Sequence, residues 1–246
     1  MNPWIAKAVI LVASVVMVVI RAPHGRRSRG VKVARSCKGP REVVLLTFAW
    51  MGFLVPLIWV VSPFFSFAEY SLRPWPFGAG VLCLVGGLWW FHRSHSDLGT
   101  YWSVTLELRE NHRLITQGVY RYVRHPMYAA LFLYSIGQAL MLPNWVVGLS
   151  YLVAFGILFA LRIGAEERMM LEAFGDEYAA YVARTKLLAR NLVIGVPAIL
   201  APAPPLVRGT SSSCVSATSS AASIQEHTTQ NGGAVLMPRI VAHQGA

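Results

Sequence analysis

Two apolar runs joined by a two-residue turn occupy residues 127–163, which read MYAALFLYSIGQALMLPNWVVGLSYLVAFGILFALRI. The runs, Met127 to Leu142 and Trp145 to Ile163, approach the roughly 20 apolar residues that a membrane-spanning helix needs. The turn is Pro143-Asn144, a pair typical of tight reversals. The stretch therefore predicts a transmembrane helical hairpin.

The composition of the whole chain also indicates a membrane protein. Its 246 residues are 55% hydrophobic and 13% charged, with a mean hydropathy of +0.49. A soluble domain typically carries about 25% charged residues. Three more apolar runs precede the hairpin: Trp4 to Ile20, Val43 to Phe67 and Phe77 to Phe91. The sequence predicts an all-α fold, a polytopic transmembrane helical bundle of about five spans.

The segment after the hairpin is more polar but still periodic. Met170, Phe174, Tyr178 and Tyr181 recur at helical spacing between Ala165 and Val182. We expect a C-terminal amphipathic helix there, lying on the membrane or over a site. A short apolar piece follows, and then a tail rich in Pro, Ser, Thr, Gly and Ala, which is predicted to be disordered.

The net charge of +11 is concentrated in particular connections. Eight of the 22 Lys and Arg residues lie between Arg21 and Arg41, five between His92 and Pro126, and seven from Arg162 onward. The positive-inside rule then places the N-terminus outside and the C-terminus in the cytoplasm. A basic loop between apolar runs suits anionic lipid, so we expect membrane lipid as a partner and no nucleic acid.

The first candidate for chemistry is the segment YRYVRHPMY, residues 120–128, at the start of the fourth run. Pro126 suits the first turn of a helix and disfavours helical geometry at His125, which is therefore expected at the N-cap. Free N–H groups and the helix dipole make this a place for a carboxylate. The alternative is an interfacial anchor, in which Arg and Tyr hold the helix end among lipid headgroups.

The second candidate is Arg162 with Glu166 and Glu167, at the inner end of the fifth run. Arg162 and Glu166 are four residues apart and share one helix face. Arg162 can anchor an anion while a glutamate holds a polar ligand, since ionisable groups at the edge of a span are often functional. The alternative is a simple ion pair along one helix.

A third group, His92, His95 and Asp97, contains residue types that bind metals. Two imidazoles and one carboxylate without further histidine clusters do not make a di-metal site. We interpret the three as solvated loop residues and predict no metal site.

Both candidate segments resemble the isoprenylcysteine carboxyl methyltransferase family. The resemblance rests on Arg124-His125-Pro126-x-Tyr128, preceded by LITxGVY at residues 114–120, and on Arg162-x-x-x-Glu166-Glu167, which leads into FGDEY at residues 174–178. It implies a multi-span membrane enzyme that uses S-adenosyl-L-methionine. We accordingly divide the chain into an N-terminal transmembrane pair with a basic cytoplasmic loop (1–75), a methyltransferase-like membrane catalytic region (76–190), and a short apolar piece with the disordered tail (191–246).

The resemblance also implies roles for individual residues. Arg162 would orient the carboxylate of the substrate. Glu107 falls near a family glutamine that touches the cofactor. The other cofactor contacts would come from His112, Arg113, Leu114, Ile115, Tyr120, His125, Pro126, Met127, Tyr128, Glu166 and Glu167.

The expected function is methyl transfer from S-adenosyl-L-methionine to a lipophilic small-molecule or lipidated acceptor, most simply a carboxylate. A carboxylate is already ionised at neutral pH, so the reaction needs alignment and a dry site rather than a base. The alternatives are a phospholipid N-methyltransferase, a thiol S-methyltransferase, a sterol-reductase-like membrane enzyme and a non-enzymatic membrane scaffold. The sequence does not fix the oligomeric state.

Overall fold

The computed structural model describes residues 2–30, 33–36, 39–99, 107–109, 113–188 and 215–216. These residues form the helices α1 (Pro3–Arg29), α2 (Pro40–Val61), α3 (Pro74–Leu98), α4 (Pro126–Met141) and α5 (Trp145–Arg184). Helix α3 packs along α4, α2 packs along α5, and α1 lies beside α3. The predicted all-α bundle is confirmed.

Proline begins four of these helices, at Pro3, Pro40, Pro74 and Pro126. Its fixed φ angle and missing N–H suit the first turn, where the N–H would have no partner inside the helix. Helix α5 starts differently, because the Oδ1 atom of Asn144 accepts a hydrogen bond from the Val147 N–H at 3.0 Å. The predicted tight turn between α4 and α5 is therefore confirmed.

Glycine allows α3 and α4 to approach closely. A Cβ atom on Gly137 would lie 2.7 Å from the carbonyl oxygen of Gly80 and 2.9 Å from the backbone nitrogen of Leu84. On the same helix, the fully buried Tyr134 meets the Ser14 hydroxyl of α1 at 3.1 Å. Small residues at helix contacts are common in membranes, where packing and hydrogen bonds hold helices together.

Four of the described helices, α1, α2, α3 and α5, are long and apolar enough to cross a membrane. Helix α4 has 16 residues, or about 24 Å at the rise of an α-helix. Large apolar side chains such as Leu11, Val12, Leu82 and Val85 are exposed on the outside of the bundle. Such a surface belongs in lipid, and the protein is a multi-pass integral membrane protein.

Three helix boundaries differ from the predicted ones. Helix α2 ends at Val61 and not at Phe67, because a residue before a proline, here Ser62, avoids helical geometry. Helix α1 continues to Arg29 rather than ending near Ile20. Helix α3 continues to Leu98, so the interpretation of residues 92–97 as a solvated loop was wrong.

The predicted separate amphipathic helix is part of α5. The helix does not end at Ile163 but continues to Arg184, with one non-helical residue, Gly175, at φ 52° and ψ −125°. Residues 165–174 continue the hydrogen-bonding pattern because they include good helix formers and no proline. Positive φ is accessible to glycine without steric strain, so the chain changes direction at that point.

A small antiparallel sheet joins distant parts of the chain. It contains β1 (Val33–Ser36), β2 (Glu107–Arg109) and β3 (Val215–Ser216) in the order β2-β1-β3. Strands β1 and β2 come from the first two basic connections, and their pairing brings these connections together. Strand β3 lies in the tail for which disorder is predicted, and the rest of the chain beyond residue 188 lies outside the described residues.

We expect Gly137→Ala to destabilise the bundle, because the added Cβ would meet the backbone of α3 at 2.7–2.9 Å. Overpacking of this kind typically costs about 1–3 kcal/mol. Thermal unfolding of the detergent-solubilised protein measures the effect. Gly156→Ala is the matched control, since no atom beyond the neighbouring backbone of its own helix lies within 4 Å of its Cβ position. A Gly137→Ala midpoint equal to that of the control would contradict the close contact of α3 and α4.

Candidate active site

The segment before α4 is anchored to α3 by a tight turn. The 3-10 turn Gly118–Arg121 begins at Gly118 with φ +61°. Asp97 of α3 accepts a hydrogen bond from the Val119 N–H at 2.9 Å. A side chain at residue 118 would collide with the carboxylate of Asp97. Glycine is therefore required here, both for its φ angle and for the approach of Asp97.

Tyr120, a predicted cofactor residue, lies inside this anchor. Its side chain is buried, and its hydroxyl donates to the carbonyl oxygen of Ser94 at 3.5 Å. Its own carbonyl accepts a hydrogen bond from the Tyr181 hydroxyl at 2.6 Å. Burial raises the pKa of Tyr120 above the usual phenol value, so the group stays neutral. These contacts give Tyr120 a part in joining α3 to the end of α5; its contact with a cofactor stays a prediction.

His125 occupies the N-cap of α4, as predicted, with φ −121° and ψ 65°. Its Nε2 atom lies 2.6 Å from Oε1 of Glu167, and its Nδ1 atom lies 3.6 Å from Oε1 of Glu166. Burial disfavours the charged imidazole, but hydrogen bonding and charge from the two glutamates outweigh it and raise the pKa of His125 to about 9. The ring is therefore a cation at neutral pH, with Nε2–H donating to Glu167 and Nδ1 facing Glu166 as an ion pair.

Glu167 connects the segment before α4 to α5 and to the residues after Gly175. Besides His125, it accepts hydrogen bonds from Arg124 (Nε to Oε1, 3.2 Å; Nη2 to Oε2, 3.3 Å) and from the Tyr178 hydroxyl at 2.9 Å. Arg124 also donates to the carbonyl oxygen of Thr185 at 2.6 Å. Tyr178 and Thr185 follow the break at Gly175, so this carboxylate links three parts of the chain.

Glu166 accepts fewer hydrogen bonds than Glu167. Its Oε2 atom accepts a hydrogen bond from the Tyr128 hydroxyl at 2.5 Å and lies 3.8 Å from Nε of Arg162. Its side chain is 26% exposed. The rings of His125 and Tyr128 lie beside it, with centroids 5.6 Å apart and planes tilted by 30°. Glu166 is thus the carboxylate with more freedom to meet a ligand.

Arg162 pairs with a residue that the sequence analysis did not single out. Its Nη2 atom lies 3.5 Å from Oε1 of Glu42, and both side chains are buried. Glu42 stands in the first turn of α2, near the positive end of that helix. An acidic residue at the edge of an apolar span was the available signal, because such residues are often paired and functional.

The remaining predicted residues are placed less centrally. Pro126 is buried in the first turn of α4, and Met127 packs against the main apolar core. Arg113 is exposed, and Leu114 and Ile115 are half-buried in the chain before the 3-10 turn. His112 lies outside the described residues, and Glu107 belongs to β2, where its backbone pairs with Ser36.

The third sequence group does not converge. His95 is fully buried within α3, with its Nδ1 atom 2.9 Å from the carbonyl oxygen of Phe91, while His92 is exposed. Asp97 pairs with Arg93 at 3.4 Å in addition to capping the 3-10 turn. Among the described residues, no group of three or more His, Cys, Asp or Glu side chains is arranged to hold a metal ion.

Comparison with known proteins places this cluster in a family context. A match to the "Isoprenylcysteine carboxyl methyltransferase (ICMT) family" spans α3 from residue 81, all of α4, and α5 as far as residue 172. Residues 81–172 match that family. The resemblance predicted from the two motifs is thereby confirmed, and the matched stretch contains His125, Arg162, Glu166 and Glu167.

Individual relatives are similar over parts of their length. Protein-S-isoprenylcysteine O-methyltransferase of Rattus norvegicus is 33% identical over 140 residues, covering 52% of this chain and 49% of that protein. The Homo sapiens protein of the same name is 40% identical over 78 residues, which cover 32% of this chain and 28% of that protein. Protein-S-isoprenylcysteine O-methyltransferase B of Arabidopsis thaliana is 35% identical over 81 residues, which cover 33% of this chain and 41% of that protein. The chain thus spans less than half the length of these relatives.

A solved structure of the eukaryotic intramembrane Ras methyltransferase ICMT is also similar to this chain. It has a TM-score of 0.43 and 24% sequence identity, with 63% of this chain and 54% of that chain covered.

The charged ring of His125 predicts how stability depends on pH. Its pKa is about 9 in the fold and about 6.5 when exposed. Its stabilising effect is therefore complete below pH 6.5 and is lost as pH rises through 9, a loss on the order of 3 kcal/mol. Thermal unfolding in detergent between pH 6 and 9.5 measures it.

His125→Asn should abolish most of this pH dependence, whereas His92→Asn, at an exposed histidine of α3, should retain it. If His125→Asn and the wild type lost stability in parallel over this range, the assignment of a positive charge to the His125 ring would be wrong.

Proposed function

We propose that this protein is an integral membrane methyltransferase that moves a methyl group from S-adenosyl-L-methionine to a lipophilic carboxylate acceptor. The observation that carries the proposal is the meeting of His125, Tyr128, Arg162 and Glu166 at one end of the α4–α5 hairpin. This cluster lies within the stretch that matches the family. The names of the relatives, which are isoprenylcysteine O-methyltransferases, support the acceptor class.

The residues of the cluster fit a cationic amino-acid-like ligand. A sulfonium and an ammonium group call for carboxylate and for aromatic faces. Glu166 offers a partly exposed carboxylate, and the ring of Tyr128 lies next to it. When bound, S-adenosyl-L-methionine supplies the electrophilic methyl group. Glu167 is committed to Arg124, His125 and Tyr178, so we assign it to holding the site together.

The protonation state of His125 agrees with a reaction that needs no base. Because both ring nitrogens face glutamates and the pKa is about 9, His125 has no lone pair to offer at neutral pH. A carboxylate acceptor is already ionised and requires only alignment. Arg162 is the group suited to orient it, since a guanidinium binds carboxylates in a fixed fork geometry. Its burial keeps water away from the acceptor's charge.

The location of the site relative to the bilayer is part of the proposal. We infer that the N-terminus is outside and the C-terminus cytoplasmic, with the cluster at the cytoplasmic face. The pairing of β1 with β2 supports this, because it joins two Lys- and Arg-rich connections. An acceptor anchored by its lipid part would reach the cluster from within the bilayer.

We expect Glu166→Gln to weaken S-adenosyl-L-methionine binding about tenfold or more, since a hydrogen bond to a charged group is worth about 1.5–3 kcal/mol. Isothermal titration of the purified protein in detergent measures the affinity. Glu177→Gln, an exposed acid on the same helix, is the control and should bind like the wild type. Equal affinity in Glu166→Gln and Glu177→Gln would remove Glu166 from the cofactor site.

Arg162 should matter in proportion to the acceptor's charge. We expect Arg162→Gln to lower kcat/KM for an S-farnesyl cysteine carboxylate about 100-fold, the loss of one buried charged contact. Phosphatidylethanolamine and a lipophilic thiol, assayed in parallel, should show a much smaller change. Arg162→Lys, which keeps the charge, should recover part of the carboxylate activity. If all three acceptors lost activity equally, Arg162 would serve the fold rather than the acceptor.

A further inference from the structure

Glu42 brings a carboxylate into the cluster from outside the matched region. It belongs to α2, whereas the family match begins at residue 81 in α3. Its side chain is 6% exposed, and its Oε1 atom lies 3.5 Å from Nη2 of Arg162. The N-terminal pair of helices therefore contributes a charge to the site that the motifs of the C-terminal half do not contain.

Burial makes this pairing consequential. A carboxylate removed from water stays ionised only where a cation and a favourable dipole compensate it. Arg162 supplies the cation, and the first turn of α2 supplies the positive end of a helix dipole. The pair can be broken favourably only if another anion takes the place of Glu42 on the guanidinium.

The geometry shows which side of the guanidinium Glu42 covers. Arg162 directs its inner nitrogen, Nε, toward Glu166 of its own helix at 3.8 Å, and its terminal nitrogen, Nη2, toward Glu42 at 3.5 Å. The terminal nitrogens are the ones that reach furthest toward a ligand. A carboxylate acceptor oriented by Arg162 thus competes with Glu42 for the same end of the side chain.

We propose that Glu42 is a specificity-determining residue that takes the acceptor's place on Arg162 between turnovers and yields to the acceptor's carboxylate. The inference rests on the proposed function. The affinity for an anionic acceptor then depends on how much more strongly the acceptor's carboxylate binds the Arg162 guanidinium than the Glu42 carboxylate does. A neutral ligand cannot displace Glu42 from Arg162 and gains nothing from its removal.

The same exchange favours release of the product. In the transfer step, an oxygen of the acceptor's carboxylate bonds to the methyl carbon, while the bond from that carbon to sulfur breaks and leaves its electron pair on sulfur. No proton moves, and the acceptor becomes a neutral ester. Arg162 then lacks an anionic partner in the acceptor, so Glu42 can pair with it again and displace the ester.

The test compares an acid with its own ester in one variant. Affinities of an S-farnesyl cysteine derivative and of its methyl ester are measured in the presence of S-adenosylhomocysteine, so that no transfer occurs. We expect Glu42→Gln to bind the acid about fivefold tighter or more, the lower end of usual coupling between two ligands. The affinity for the ester should stay unchanged. The ratio of the two affinities excludes general effects on folding.

Two further variants secure the result. Glu69→Gln also removes an acid that contacts a helix, since Glu69 accepts a hydrogen bond from the Trp59 Nε1–H of α2 at 2.8 Å. Glu69 lies at the opposite end of the bundle, so this variant should leave the ratio of the two affinities unchanged. Glu42→Asp retains the charge on a shorter side chain, so its ratio should fall between those of the wild type and Glu42→Gln. It provides the measurement if Glu42→Gln does not fold.

The outcomes separate this inference from the proposed function. If the wild type binds and methylates the acid but Glu42→Gln leaves the ratio unchanged, or weakens acid binding, Glu42 does not compete with the acceptor and only this inference fails. If the wild type neither binds nor methylates the acid, the proposed function fails and this inference fails with it.

Discussion

The contact of the His125 imidazolium with two adjacent glutamates is the constraint on which the rest of the site depends. It joins the N-cap residue of α4 to α5 and thereby fixes where the hairpin begins relative to where it ends. Glu167 extends the contact to Arg124 and to Tyr178 beyond the break at Gly175. Burying any one of these charged or polar groups without its partners would cost free energy, so they are stable only as a set.

The apolar part of the bundle determines where that set of charges can form. Gly80 and Gly137 bring α3 against α4 at backbone distance, which places Asp97 beneath the 3-10 turn that precedes α4. Along α2, the fit of Gly52 against Ala154 sets the distance to α5 and so the reach of Glu42 to Arg162. Helix packing between small residues and the ionic cluster are therefore parts of one arrangement.

The sequence predicted what depends on local pattern. The hairpin, the start of α4 at Pro126, the N-cap position of His125 and the shared face of Arg162 and Glu166 all follow from spacing and proline geometry. The pair of Glu42 and Arg162 could not be predicted, because it joins residues 120 positions apart through the packing of α2 on α5. The end of α2 and the continuation of α5 were misjudged because hydropathy marks where lipid ends rather than where a helix ends.

The shortness of α4 determines the depth of the cluster. At about 24 Å it falls short of the roughly 30 Å of hydrocarbon in a typical bilayer. The Pro143-Asn144 turn and the His125 end therefore cannot both stand at the headgroups unless the bilayer thins locally. If both ends reach the headgroups, the lipid beside α4 must thin, and under the proposed function a polar group tethered to an acyl or prenyl tail would meet the protein without first leaving the membrane.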